Sequence, residues 1–227
     1  MGWPNNYVQG IYNALGSLIG LSDGAGGQIG LAATYTWATK PLASAYIGTA
    51  FISDIGEVNG SYTGSYWVSN GTEWKPLNGH VTLFTKTVAG SAHTGTTAET
   101  TLLTYNAPAS LPGLNGIYKV TLKYNTPTLT TGTTYFYTRL NTTAMLGNSL
   151  TAGTITYGVA GTITNTNSAS AQIGSNGTVH EFSASGSAWN AGTVNTAAAH
   201  TINVSVALGG TGNSVTLLST IIELYHP

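Results

Sequence analysis

Ionic side chains are scarce in this chain and cysteine is absent: 227 residues carry six Lys and Arg, seven Asp and Glu, and no Cys. The missing cysteines exclude a disulfide scaffold and any thiolate-held zinc or iron–sulfur centre. A formal net charge of −1 with scattered basic residues excludes the electrostatic stripe that nucleic acid demands, so no nucleic-acid partner is expected. No apolar run reaches the roughly 20 residues of a membrane-spanning helix, and no membrane insertion is expected. The opening "MGWPNNYVQG" lacks the basic start and apolar core of a secretory signal. The expectation is a protein made in a cytoplasm and released by a route other than secretion.

Catalysis has little material to work with. Asp54 and Glu57, in "SDIGEVNG", are the closest carboxylates, and they fall in a turn where Asp favours a local backbone hydrogen bond. A glycosidase holds two carboxylates across a cleft, about 5 Å or 6.5–9.5 Å apart, and proximity in sequence supplies no cleft to them or to Glu73. "GLSDG", Gly20 to Gly24, matches the nucleophile-elbow pattern around Ser22, but the elbow needs a strand before it and a helix after it. Here a helix-like segment precedes and a glycine linker follows. His80, His93, His180, His200 and His226 have no partner at i+2 or i+4, and no glycine-rich phosphate loop with its lysine is present. Neither enzymatic activity, cofactor nor metal is expected.

What is abundant is Thr, Ser, Asn and Gly, whose hydroxyls, amides and backbone must cover the surface in place of charge. Soluble monomers normally mix many charges of both signs. A chain this poor in them is expected to bury surface against copies of itself or against other proteins.

The N-terminal 33 residues read as an anchor and glycine-rich linker. Val8, Ile11, Leu15 and Leu18 recur at intervals of three, four and three, the spacing of a helical seam, although Gly10 and Gly16 lower helix propensity. The segment serves either as a short helix packed on its own domain or as a helix in an oligomer seam or docking peg. From residue 34 onward the pattern is β. "SYWVSNGTEWKPLNGHVTLF", Ser65 to Phe84, holds two Asn-Gly pairs, the strongest short-range hairpin signal. Tight turns at Asn70-Gly71 and Asn78-Gly79 would set Trp67 against Trp74, Leu77 against His80, and Trp74 against Leu83 in a three-strand meander. Buried aromatics dominate cores, so the tryptophan row is read as core, with a sugar-binding platform as the alternative.

Ile117 to Tyr124 alternates, Ile117, Lys119, Thr121 and Lys123 on a wet face and Tyr118, Val120, Leu122 and Tyr124 on a buried one. Tyr135, Tyr137 and Ile202, Val204, Val206 repeat the habit. Many short strands divided by Gly, Asn and Thr turns, without intervening helical patterns, predict an all-β chain ending in a sandwich or jelly roll of about eight strands.

"AYIGTAFISDIGEVNGSYTGSYWVSNGTEWKPLNGHVTLF", Ala45 to Phe84, resembles a small β module of bacteriophage fibre and tail-associated proteins, marked by an F-x-S-D-x-G strand and turn and an S-N-G-T-x-W hairpin. "HTGTTAETTLLTYNAPASLPGLNGIYKVTLKYN", His93 to Asn125, is similar to the opening strands of jelly-roll heads in phage fibres, marked by T-x-E-T-T-L and L-x-G-x-N-G. The resemblance implies an anchor (1–33), a small β module (34–90) and a TNF-like jelly-roll head (91–227). It also implies a homotrimeric projection from a virus particle, assembled in the host cytoplasm and attached to other virion proteins through its N-terminus. The segment before the first module strand is too short for a fibre shaft, which favours a short appendage or decoration protein. Its head would meet a host-surface glycan or protein through exposed loops and aromatics, for which Tyr135, Tyr137, Tyr157 and Trp189 are the candidates, each also readable as core or subunit interface. A polysaccharide depolymerase and a stand-alone carbohydrate-binding module are the alternatives.

Overall fold

The structure is a computed structural model and describes residues 9–12, 18–22, 28–29, 33–151, 155–176 and 190–227. In chain order the strands are β1 (Gln9–Tyr12), β2 (Leu18–Ser22), β3 (Gln28–Ile29), β4 (Ala33–Tyr35), β5 (Ile47–Ile52), β6 (Glu57–Val58), β7 (Ser61–Tyr62), β8 (Ser65–Asn70), β9 (Trp74–Pro76) and β10 (His80–Lys86). They continue as β11 (His93–Thr94), β12 (Thr100–Ala107), β13 (Ile117–Thr128), β14 (Thr134–Leu140), β15 (Thr143–Leu150), β16 (Ile155–Asn165), β17 (Gln172–Asn176), β18 (Asn190–Gly192), β19 (His200–Ala207) and β20 (Ser214–Tyr225). Among the described residues the sole helical element is a single 3₁₀ turn at Ala43–Ala45.

The chain is all-β, and its largest part is a jelly-roll-like sandwich. A nine-stranded sheet runs β18-β17-β16-β13-β20-β10-β6-β7 with β11 against β20, and a four-stranded sheet runs β12-β19-β14-β15. The predicted alternation of β13 holds: Tyr118, Val120, Leu122 and Tyr124 are buried. They meet Ile202, Val204 and Val206 of β19 and Phe136 of β14 in one core, with the Tyr124 and Phe136 rings 4.7 Å apart.

The segment 34–90 contributes to two sheets. β4, β5, β8 and β9 form a small sheet of their own, whereas β6, β7 and β10 extend the nine-stranded one. β10 lies along β20, from His80 opposite Tyr225 to Lys86 opposite Thr220. This corrects the three-strand meander: Leu77 does not pair with His80, nor Trp74 with Leu83. A turn from Pro76 to Gly79, closed by the Gly79 N–H on Pro76 O at 2.9 Å, sends the chain across to the long β20 edge instead. The first hairpin differs in register too, with Ser69 opposite Trp74 and Trp67 opposite Pro76. Asn70 does not take positive φ; its Oδ1 accepts the N–H groups of Thr72 (2.9 Å) and Glu73 (3.0 Å), which widens the loop and leaves Gly71 alone at positive φ.

Both tryptophans are nonetheless core. Trp67 is fully buried, edge-on to Trp37 at 4.8 Å, and Trp74 stacks on Tyr46 at 5.4 Å. At the N-terminus the helical seam is also corrected. Ile11 lies on β1 and Leu18 on β2, which pair antiparallel, a conformation the glycines of this segment resist less than helix. Val8 and Leu15 lie outside the described residues.

One buried polar pair ties the two sheets of the sandwich and makes it pH-sensitive. The His200 Nδ1–H donates to Ala198 O at 3.1 Å, so Nε2 carries the lone pair that accepts the Tyr118 hydroxyl at 2.8 Å. Burial lowers the His200 pKa from its ordinary 6.5. The unfolded chain therefore binds this proton first: the stabilisation is complete above pH 6.5 and is lost as pH falls from there through the folded-state pKa. The melting temperature is expected to drop between pH 7 and pH 5, and His200→Gln, which cannot ionise, is expected to flatten that slope. His226, whose pKa burial also lowers, supplies the slope that remains.

Candidate functional site

Strand β14 carries the most chemically distinctive exposed surface among the described residues. Its alternation puts Thr134, Phe136, Thr138 and Leu140 into the core and leaves Tyr135, Tyr137 and Arg139 in a row on the outer face. Tyr135 is 45 % exposed. The two phenol rings stand 6.3 Å apart, 11° from parallel, and the Arg139 guanidinium lies 4.9 Å from the Tyr137 ring centre. Three flat groups thus follow one another along the strand.

The flanking strands keep this row proud of its surroundings. Opposite Tyr135 are Ser149 on β15 and Ala207 on β19; opposite Tyr137 are Gly147 and Ser205; opposite Arg139 are Ala144 and Asn203. Gly147 is an open site, where an added Cβ would only touch the Tyr137 ring at 3.7 Å. The guanidinium is locked from behind. Its Nε and Nη2 donate to the two Glu99 carboxylate oxygens, its Nη1 donates to Thr142 O at 2.9 Å, and the Ser205 hydroxyl donates to Glu99 Oε1. Hydrogen bonds from Arg139 hold the Glu99 carboxyl below the usual carboxylate range and raise Arg139 further. A paired, immobilised guanidinium offers a flat face with little net charge. The Tyr137 ring is covered by Tyr135 on one side and by Arg139 on the other, so the row offers a ligand its ring edges, its two hydroxyls and the solvent side of Tyr135, with Ser149 alongside.

The candidates predicted from sequence fare unequally. Tyr135 and Tyr137 come together, on the outside. Tyr157 lies on β16 with its backbone opposite Tyr124, and its side chain is outside the described residues, as is Trp189. Arg139 was missed although its i+4 spacing from Tyr135 placed it in the same row; Glu99, forty positions earlier in the chain, gave no such signal.

The carboxylates weighed as a catalytic pair do share a cavity. Asp54 and Glu57 line a space of about 380 Å³ with Tyr62 and Tyr105. Asp54 Oδ1 accepts the Trp37 N–H at 2.7 Å. Glu73 sits apart, paired with Lys75 at 3.2 Å, beside a groove of about 560 Å³ walled by Trp37, Lys40, Leu42, Trp74 and Leu114. Both indole N–H groups of that groove are spent on backbone, Trp37 on Ala109 O and Trp74 on Pro41 O. The remaining ion pairs among the described residues are Lys119–Glu223 and Arg139–Glu99.

No family model and no curated protein matches the chain. Among solved structures, the CBM2 module of the evolved Dit of Lactobacillus casei BL23 phage J-1 aligns over 53 % of this chain and 67 % of its own, at 9 % identity and a TM-score of 0.32. A structure of the infectious bursal disease virus Gx strain aligns over 79 % of this chain and 58 % of its own, at 14 % identity and a TM-score of 0.24. At these scores the alignments do not amount to a shared overall fold.

Proposed function

We propose that this protein is a non-enzymatic structural protein of a bacteriophage particle, a short homotrimeric fibre or decoration protein that binds a host-surface saccharide through the Tyr135–Tyr137–Arg139 row. It is assembled in the host cytoplasm and joins other virion proteins through its N-terminal segment, around Val8, Ile11, Leu15 and Leu18. The motif resemblance over Ala45 to Asn125 and the poverty of charge support the virion reading, since closed symmetric homo-oligomers hide surface that would otherwise need ions.

The observation that carries the binding half is the row itself. Two parallel phenol rings and a neutralised guanidinium are held rigid on the outer face and bordered by Gly, Ala and Ser. Aromatic contacts on a sheet face add only a few tenths to about 1 kcal/mol of stability, whereas rigid aromatic anchors with two side-chain torsions are what a binding surface favours.

Four measurements test this reading. Solution mass should be that of a trimer, and a stable monomer would return the choice to a free carbohydrate-binding module. Particles labelled at Pro227 should show the label outside the capsid shell, collar or tail. Tyr135→Ala with Tyr137→Ala should lower adsorption to host cells at least about tenfold, a loss of roughly 1.4 kcal/mol, with the melting temperature unchanged. Reducing-sugar release from host polysaccharide would overturn the non-enzymatic assignment.

A further inference from the structure

The mouth of the sandwich holds a second feature unrelated to the tyrosine row. β12 is the outermost strand of the four-stranded sheet, so one side of its backbone joins no ladder. It faces the turn and short strands from Asp54 to Tyr62 that edge the nine-stranded sheet. Between them lies the cavity of about 380 Å³, within the size range of small-ligand sites. Asp54, Glu57 and Tyr62 form one wall, Thr104 to Pro108 the other, and Leu83 and Phe84 line the space between.

Tyr105 marks this cavity as more than a gap. It is only 8 % exposed, its ring packs on Phe84 at 5.9 Å, and it lines the cavity with a hydroxyl that is not sealed off from solvent. Burial, then the neighbouring Glu57, Tyr62 and Asp54, raise its pKa, so it remains a proton donor. Neither Asp54 nor Glu57 takes part in an ion pair among the described residues.

We propose that this cavity binds one ring of a neutral sugar. Two carboxylates accept strong hydrogen bonds from ring hydroxyls, the Tyr105 hydroxyl donates to a ring or hydroxyl oxygen, and Phe84, Ala107 and Pro108 cover the apolar C–H face. An anionic sugar is repelled by the carboxylate pair. Calcium would need six to eight oxygen ligands, and Asp54, one of the two carboxylates here, already spends an oxygen on the Trp37 N–H. The site deepens the host-surface reading and rests on it for the origin of the sugar, though not for the chemistry of the cavity.

The test is a titration of the full chain with the methyl glycosides of glucose, galactose, mannose and N-acetylglucosamine, followed by saturation-transfer NMR, with glucuronate and calcium chloride as separate arms. At least one neutral glycoside should bind saturably. Tyr105→Phe, which keeps the ring on Phe84, and Glu57→Gln, each made on the Tyr135→Ala, Tyr137→Ala background so that the tyrosine row contributes nothing to the signal, should each weaken it at least about tenfold. No saturable binding by any of the four, indifference to both cavity variants, or tighter binding of glucuronate or calcium would overturn the proposal. The host-surface reading fails separately, if the Tyr135→Ala, Tyr137→Ala protein adsorbs to cells as well as the parent does.

Discussion

Truncating Trp67 to alanine is expected to destabilise the protein by about 3–5 kcal/mol, the range for removing a fully buried large aromatic. Three contributions add. The indole is entirely excluded from solvent, so its whole apolar area returns to a cavity. The edge-to-face contact with Trp37 at 4.8 Å is lost. So is the hydrogen bond from Nε1 to Ser65 Oγ at 2.8 Å, which leaves the Ser65 hydroxyl, itself a donor to Ile55 O, short of a partner. Trp67→Phe keeps most of the area and is expected to lose about half as much. Urea denaturation checks both, through a fall in midpoint at constant slope. The small sheet has few other large buried residues, so the Trp67→Ala protein should also show early amide exchange in β5 and β8, before the sandwich opens.

Gly174→Ala is expected to cost about 3 kcal/mol, at the upper end for overpacking. Gly174 lies on β17 where that strand crosses β15, and a Cβ there would stand 2.0 Å from Met145 O and 2.8 Å from the Met145 carbonyl carbon. Both are backbone, so no rotamer relieves the clash and the strands must part. The neighbouring Gly192 gives the contrast. Its added Cβ would meet the Met145 Sδ at 2.6 Å, the far part of a flexible thioether, and Gly192→Ala should cost clearly less. Paired denaturation curves for the two variants test this order; equal losses would mean that the sheets are not held at the distance Gly174 sets.

These two sites show what could be read in advance and what could not. Burial of Trp67 and of the Tyr118–Tyr124 face followed from local chemistry, because period-two alternation and aromatic content act within a few residues. The partner of β10 did not, since β20 lies well over a hundred residues further on and only the assembled core selects it. Nor did the register at Asn70, where a side-chain carboxamide outcompeted the two-residue turn that Asn-Gly ordinarily makes. Tyr135 and Tyr137 were legible as candidates through the head domain that the motif resemblance implies. Their parallel stacking, the clamp of Arg139 by Glu99, and the meeting of Asp54, Glu57 and Tyr105 in one cavity all depend on which strands lie side by side. The helical spacing at Ile11 and Leu18 misled for a related reason: four apolar residues over three intervals fit a seam, yet strand pairing answers the backbone's hydrogen bonds in a glycine-broken segment better than an isolated helix can.

The rarity of ion pairs on the described surface has a practical corollary. Dissolved electrolyte acts on proteins mainly by screening fixed charges over a distance of about 10 Å at 0.1 M, and here there is little for it to screen. Encounter with a target then proceeds at the unsteered diffusional rate, neither hastened in dilute medium nor slowed in brine. On the function proposed above, adhesion through this protein would have nearly the same efficiency in fresh and in saline water.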